Sequence, residues 1–167
     1  MILDSDYRSP NANREIVDRL SRLGITAHIW NRKELESYLL EPDVIARVSG
    51  ADPEVVESLL LDLAELAKAL ILNRRVYELQ REERSAERHP VSIADAYSAE
   101  FETEWRDPVF RVSRAPAKDL LSDLNTKLQA AGFKAVSARA LSREMGADEL
   151  DAEVVGLLKQ IEGEAVS

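Results

Sequence analysis

The chain of 167 residues contains no cysteine, so neither a disulfide framework nor a thiolate metal site is available to it. Its two histidines, His28 and His89, stand far apart with no partner at ligand spacing, and imidazole ligation is set aside with them. Any bound metal must therefore be held mainly by oxygen, which favours magnesium, manganese or calcium. Long apolar runs are also missing. The opening Met1-Ile2-Leu3 is far too short for a leader or a membrane span, and no later run reaches about 18 uncharged apolar residues. The plain expectation is a cytoplasmic protein without a membrane partner.

Basic charge is scarce as well. A formal net charge of −9 argues against binding nucleic acid by bulk electrostatics, because phosphate contacts need clustered lysine and arginine. The imbalance is uneven: residues 1–50 carry 8 acidic and 7 basic side chains, against 23 and 15 in residues 51–167. A local phosphate site near the amino end is compatible with that distribution.

What is present begins with an apolar strand over residues 1–4 that runs into Asp4-Ser5-Asp6 and a polar turn. Alternation along an extended chain aims two such carboxylates near one spot, a common way to hold a divalent cation, although Asp is equally suited to ending a strand. The stretch Asn13-Arg-Glu-Ile-Val-Asp-Arg-Leu-Ser-Arg-Leu-Gly24 places Ile16, Val17, Leu20 and Leu23 on one helical face, with Asn13 as N-cap and Gly24 as the stop. Residues 25–30, Ile-Thr-Ala-His-Ile-Trp, read as a second strand. Strand, three-turn helix and strand suit a right-handed parallel β-α-β unit, in which ligands gather at the carboxyl ends of the strands.

The remainder reads as helical. Asn31-Arg-Lys-Glu-Leu-Glu-Ser-Tyr-Leu-Leu40 is expected as a helix, on which Glu34 and Glu36 diverge by about 200 degrees so that only one faces a site. A run from Asp52 to Arg88 carries Leu59, Leu60, Leu63, Leu66, Leu70 and Ile71. Its first half is expected to pack on a core and its charged half, from Asn73 to His89, to project as an arm. A loop spanning Asp107-Pro108 and Pro116 leads to a last helical group, where Lys118 stands at a helix start. That position is unfavourable for a cation beside the helix dipole, which points to plain exposure or to a phosphate-holding role. The organisation expected is a core unit at 1–50, a long helix or arm at 51–92 and a helical part of the same domain at 93–167.

Taken in order, Leu3-Asp-Ser-Asp-Tyr-Arg8, the second strand ending in His28-Ile-Trp30, the stretch Arg32-Lys-Glu-Leu-Glu-Ser-Tyr-Leu-Leu40 and the late Ala115-Pro-Ala-Lys-Asp-Leu-Leu121 resemble the C-terminal part of the Toprim domain of the OLD family of ATP-dependent endonucleases. The likeness covers the first 50 residues well and the last 50 in outline. The family form usually carries Asn where this chain has Ser37, and its Pro-Gly-Lys has become Pro116-Ala117-Lys118. The resemblance implies a predominantly helical α/β fold, a partial Toprim domain with a small parallel sheet of about two strands. It implies magnesium- or manganese-dependent cleavage of DNA phosphodiester bonds. Asp4 and Asp6 would be the metal pair and Glu36 the acid completing the metal site, with Glu34 a lesser candidate and Lys118 the cation near the scissile phosphate.

Toprim domains also carry a glutamate on an earlier strand, and OLD proteins an ATPase domain before it. Neither is expected with Met1 three residues ahead of Asp4, and no Gly-x-x-x-x-Gly-Lys-Ser/Thr loop occurs. The chain is then expected to be inactive alone and to need an upstream ATPase/Toprim segment, in the same or a partner chain, or a second copy as a homodimer. The alternative is a non-catalytic interaction or dimerisation module built on the long helix. A haloacid dehalogenase phosphatase, which also opens on Asp-x-Asp, is disfavoured because Arg8 stands where such enzymes carry Thr or Val.

Overall fold

A computed structural model describes residues 1–83 and 90–165. The described chain is predominantly helical, with a two-stranded parallel sheet: β1 (Ile2–Leu3), α1 (Pro10–Ser21), β2 (His28–Ile29), a 3-10 helix (Leu35–Leu39), α2 (Pro42–Ser49), α3 (Pro53–Glu82), α4 (Pro90–Glu104), α5 (Pro108–Arg114), α6 (Ala117–Ala130), α7 (Ala138–Glu144) and α8 (Ala152–Ala165). The Toprim character of this arrangement is an expectation of the resemblance.

The strands pair Ile2 with His28 and Leu3 with Ile29, through His28 N–H to the Met1 carbonyl at 2.8 Å and Trp30 N–H to the Leu3 carbonyl at 3.1 Å. Both are shorter than the sequence pattern suggests, because only two positions on each find a partner. The helix between them starts four residues earlier than expected, capped at Ser9 rather than at Asn13. Pro10 has the fixed φ and the missing N–H suited to a first helical position, and the Ser9 hydroxyl accepts from Ala12 N–H at 3.0 Å. Asn13, expected as the cap, instead accepts from Arg8 Nε at 3.0 Å.

The core lies in the helical body. Ile45, Leu60, Ile71, Phe101, Leu124, Leu128 and Leu141 are fully enclosed, drawn from α2, α3, α4, α6 and α7. Asp52 caps α3 by accepting from Glu54 N–H at 2.9 Å, with Pro53 in the first turn. Of the leucines expected to face the core, Leu60 and Leu63 do so, whereas Leu66 is 81% and Leu70 45% exposed. At 100 degrees per residue both fall outside the arc that Val56, Leu60, Ala64 and Ile71 define.

The charged half of α3 is not a free arm over its described length. Arg75 donates to the Tyr7 carbonyl and Glu82 accepts from Ser9 N–H at 2.9 Å, so these polar side chains tie the helix to the turn after β1. Residues 84–88 of the expected arm, and His89, lie outside the described residues. The expected loop between Asp107 and Pro116 contains α5, which Asp107 caps by accepting from Val109 N–H at 3.0 Å. Between the sheet unit and the helical body lies a cavity of about 770 Å³, with Val17, Ala27 and Ile29 on one side and Leu79, Ile93 and Tyr97 on the other. No described helix is long and apolar enough to cross a membrane.

Candidate functional site

The carboxyl ends of β1 and β2 are drawn together by Ser5, whose hydroxyl donates to the Arg32 carbonyl at 2.8 Å. Beyond it the chain reverses through Asp6 and Tyr7, both on left-handed backbone with φ of 47° and 64°, a costly conformation for residues with a Cβ. The turn is closed by Arg8, whose backbone N–H reaches the Ser5 carbonyl at 2.9 Å and whose guanidinium reaches the Asp4 carbonyl.

Residues 31–40 form an extended approach to a 3-10 helix rather than the expected α-helix. Glu34 is therefore extended, with φ of −151° and ψ of 164°, and the 200-degree divergence from Glu36 does not hold. Both glutamates reach the start of α6. Glu34, only 6% exposed, accepts from Ala117 N–H at 2.6 Å and Lys118 N–H at 3.4 Å, and its second oxygen lies 3.2 Å from Lys33 Nζ. It caps α6 where Pro116, without a side-chain acceptor, cannot. Glu36 lies 3.2 Å from Lys118 Nζ.

Lys118 itself is exposed, and its pKa is raised by the hydrogen bond and charge of Glu36, then by the charges of Glu34 and Asp4. Three of the four acids singled out in the sequence thus act on one ammonium group. Asp6 is the exception. Its carboxylate lies 3.5 Å from Arg8 and is largely exposed.

Among the described residues, no group of three or more His, Cys, Asp or Glu stands close enough to hold a metal ion. The donor chemistry is right for a hard cation, but the arrangement alone is not a coordination shell: Glu34 is occupied as a helix cap, Glu36 by Lys118 and Asp6 by Arg8.

Two features near the site were not anticipated. Tyr7 is buried, and its hydroxyl has no hydrogen-bond partner among the described residues. Burial first, and then the charges of Glu34, Asp119 and Asp6 against the opposing charge of Arg74, push its pKa up to about 12. Beside it runs a cleft of about 810 Å³, whose lining includes the cations Arg8, Lys33, Arg74 and Arg81 and the acids Asp6, Glu78 and Glu82. On the other flank, α8 delivers Glu153 to the end of β2. Its carboxylate accepts from Asn31 N–H at 3.0 Å and from the Tyr38 hydroxyl, and lies 3.0 Å from His28 Nε2. Burial and the Glu153 hydrogen bond raise the Tyr38 pKa. His28 is thus tied into a structural cluster. The only local signal was Asp151, two residues before Glu153, in the position of a cap for α8.

Comparison of the chain with models of protein families, with curated proteins and with solved structures returns no match.

Proposed function

We propose that this chain is the C-terminal half of an OLD-like Toprim nuclease site. It cleaves DNA phosphodiester bonds with magnesium or manganese when a further segment, upstream in the same polypeptide or on a partner chain, completes it. Alone it is inactive. The observation that carries this reading is the meeting of Lys118 with Glu36, within the field of Asp4, at the carboxyl end of a parallel strand pair, the edge where ligands of open α/β sheets bind.

On this reading the Lys118–Glu36 contact is a resting state. An incoming phosphate competes for the ammonium, which then offsets charge developing on the phosphoryl oxygens. The cleft lined by Arg8, Lys33, Arg74 and Arg81 holds flanking backbone phosphates, which gives an acidic chain a local seat for DNA. Magnesium or manganese, if bound, would activate water and stabilise the departing oxygen; Asp4 and Glu36 would be this chain's donors to it, with at least one further carboxylate from the completing segment.

The test is manganese titration followed by paramagnetic broadening of amide signals, with and without the completing segment, alongside nicking of supercoiled DNA. Broadening centred on Asp4 and Glu36 and lost in Asp4→Asn is expected, together with nicking that Lys118→Ala abolishes. No broadening in the completed protein would overturn the proposal.

A further inference from the structure

The long helix carries two apolar arcs, not one. The first, through Val56, Leu60, Leu63, Ala64 and Ile71, faces the core. The second comprises Val55, Leu59, Leu66, Leu70 and Tyr77, which at 100 degrees per residue fall within about 60 degrees of one another and extend over about 33 Å. Leu59 is half-buried, whereas Val55 is 44%, Leu66 81%, Leu70 45% and Tyr77 57% exposed. Single exposed leucines are ordinary, but a row of apolar side chains along one helix, broken by Asn73 and with Leu59 also touching the core, marks a contact surface.

We propose that this stripe binds the same stripe of a second copy of the chain, α3 against α3 and antiparallel. The pattern itself identifies the partner. Leu66 and Leu70 are equidistant from position 68, and so are Leu59 and Tyr77, so a two-fold axis there sets Leu66 opposite the second copy's Leu70 and Leu59 opposite its Tyr77. Such a stripe is self-complementary, as an isologous interface requires.

Charge selects the direction. At 100 degrees per residue the charges beside the stripe are Asp52 and Asp62 in the first half of the helix and Arg74 and Arg81 in the second, while Lys68 and Arg75 turn away, to Glu102 and to the Tyr7 carbonyl. Antiparallel pairing lays the acidic half of one helix along the basic half of the other and opposes the helix dipoles, whereas parallel pairing would stack like charge on like. A single helix pair buries less than a standard interface, so the dimer is a weak one in exchange with monomer. The stripe contains none of Asp4, Glu36 or Lys118, but Tyr77, Arg74 and Arg81 also line the cleft read above as the seat for flanking phosphates, so the dimer and DNA at that cleft exclude one another.

The experiment is sedimentation over a concentration series of the full chain and of Leu66→Glu, a change at an exposed position that leaves folding intact. The wild type is expected to move from monomer to dimer. The variant, with the charge present twice per interface, is expected to dissociate at least about a hundredfold more readily. The absence of cysteine allows a second readout. When Leu66→Cys and Leu70→Cys chains are mixed under oxidation, the antiparallel register predicts mixed cross-linked dimers over self-linked ones. A wild type that stays monomeric throughout, an unaltered equilibrium in Leu66→Glu, or predominant self-linking of each variant would each overturn the proposal.

Discussion

The helical body and the sheet unit at the amino end are built in different ways. In the body, α3 alone packs on α2, α4, α5 and α6, and Phe101 stacks on Trp105 with ring centroids 5.0 Å apart. In the sheet unit no residue of α1 is buried, each strand has two residues, and one face looks onto a cavity. That unit is held largely by polar ties: Ser5 to the Arg32 carbonyl, Arg75 to the Tyr7 carbonyl, Ser9 N–H to Glu82. The body supplies its own hydrophobic stabilisation, while the unit bearing Asp4 draws its order from neighbours. Local opening free energies should divide the same way.

The sharpest way to break this contrast is a matched pair of truncations. Phe101→Ala removes a fully enclosed ring and is expected to cost about 3–5 kcal/mol in denaturant unfolding. Ile16→Ala, on a helix with no buried residue, is expected to cost under about 1 kcal/mol. Equal losses would mean that the two regions share one core. Hydrogen exchange on the wild type should show α1 and β2 amides exchanging well before those of α3 and α6.

Next in size is Glu34, a buried carboxylate that joins the regions. Glu34→Ala leaves the Ala117 N–H buried without an acceptor and is expected to cost about 1–3 kcal/mol, while Glu34→Gln, which keeps an oxygen there, costs less. Similar losses in the two variants would show that the buried charge, more than the acceptor, holds α6.

The smallest effect is at Tyr7. Its folded pKa, near 12, lies above its ordinary value, so the unfolded chain releases the phenolic proton first. The stability due to this group is complete below about pH 10 and falls as pH rises from about 10 to 12. Tyr7→Phe removes an unpartnered buried hydroxyl and is expected to change stability at neutral pH by less than about 1 kcal/mol, while flattening part of the alkaline loss. A variant whose alkaline denaturation curve keeps the wild-type slope would refute that assignment.

The elements that could be read from sequence are those with local signals. The start of the long helix at Asp52, the helix start near Lys118 and the β-α-β order all rest on residues within a turn of one another. Ser9-Pro10 was an equally local signal that Asn13 masked. Lys118, Glu34 and Glu36 were legible as candidates, but not the division of labour between them, since the Glu34 contact with Ala117 spans 83 residues. Glu153 with Asn31 spans 122, and no periodicity reports such a pairing. Leu66 and Leu70 were misassigned because helical spacing cannot tell an arc facing the core from one facing outward.

The long span of the Glu34 contact also has a kinetic meaning. A cap supplied across that many residues pays loop-closure entropy before it gives any stabilisation, so the join between the two regions should form on the native side of the folding barrier. Substitutions at Glu34 would then leave the refolding rate nearly unchanged and speed unfolding, which makes the lifetime of the native state, more than the speed of reaching it, the quantity that this one carboxylate governs.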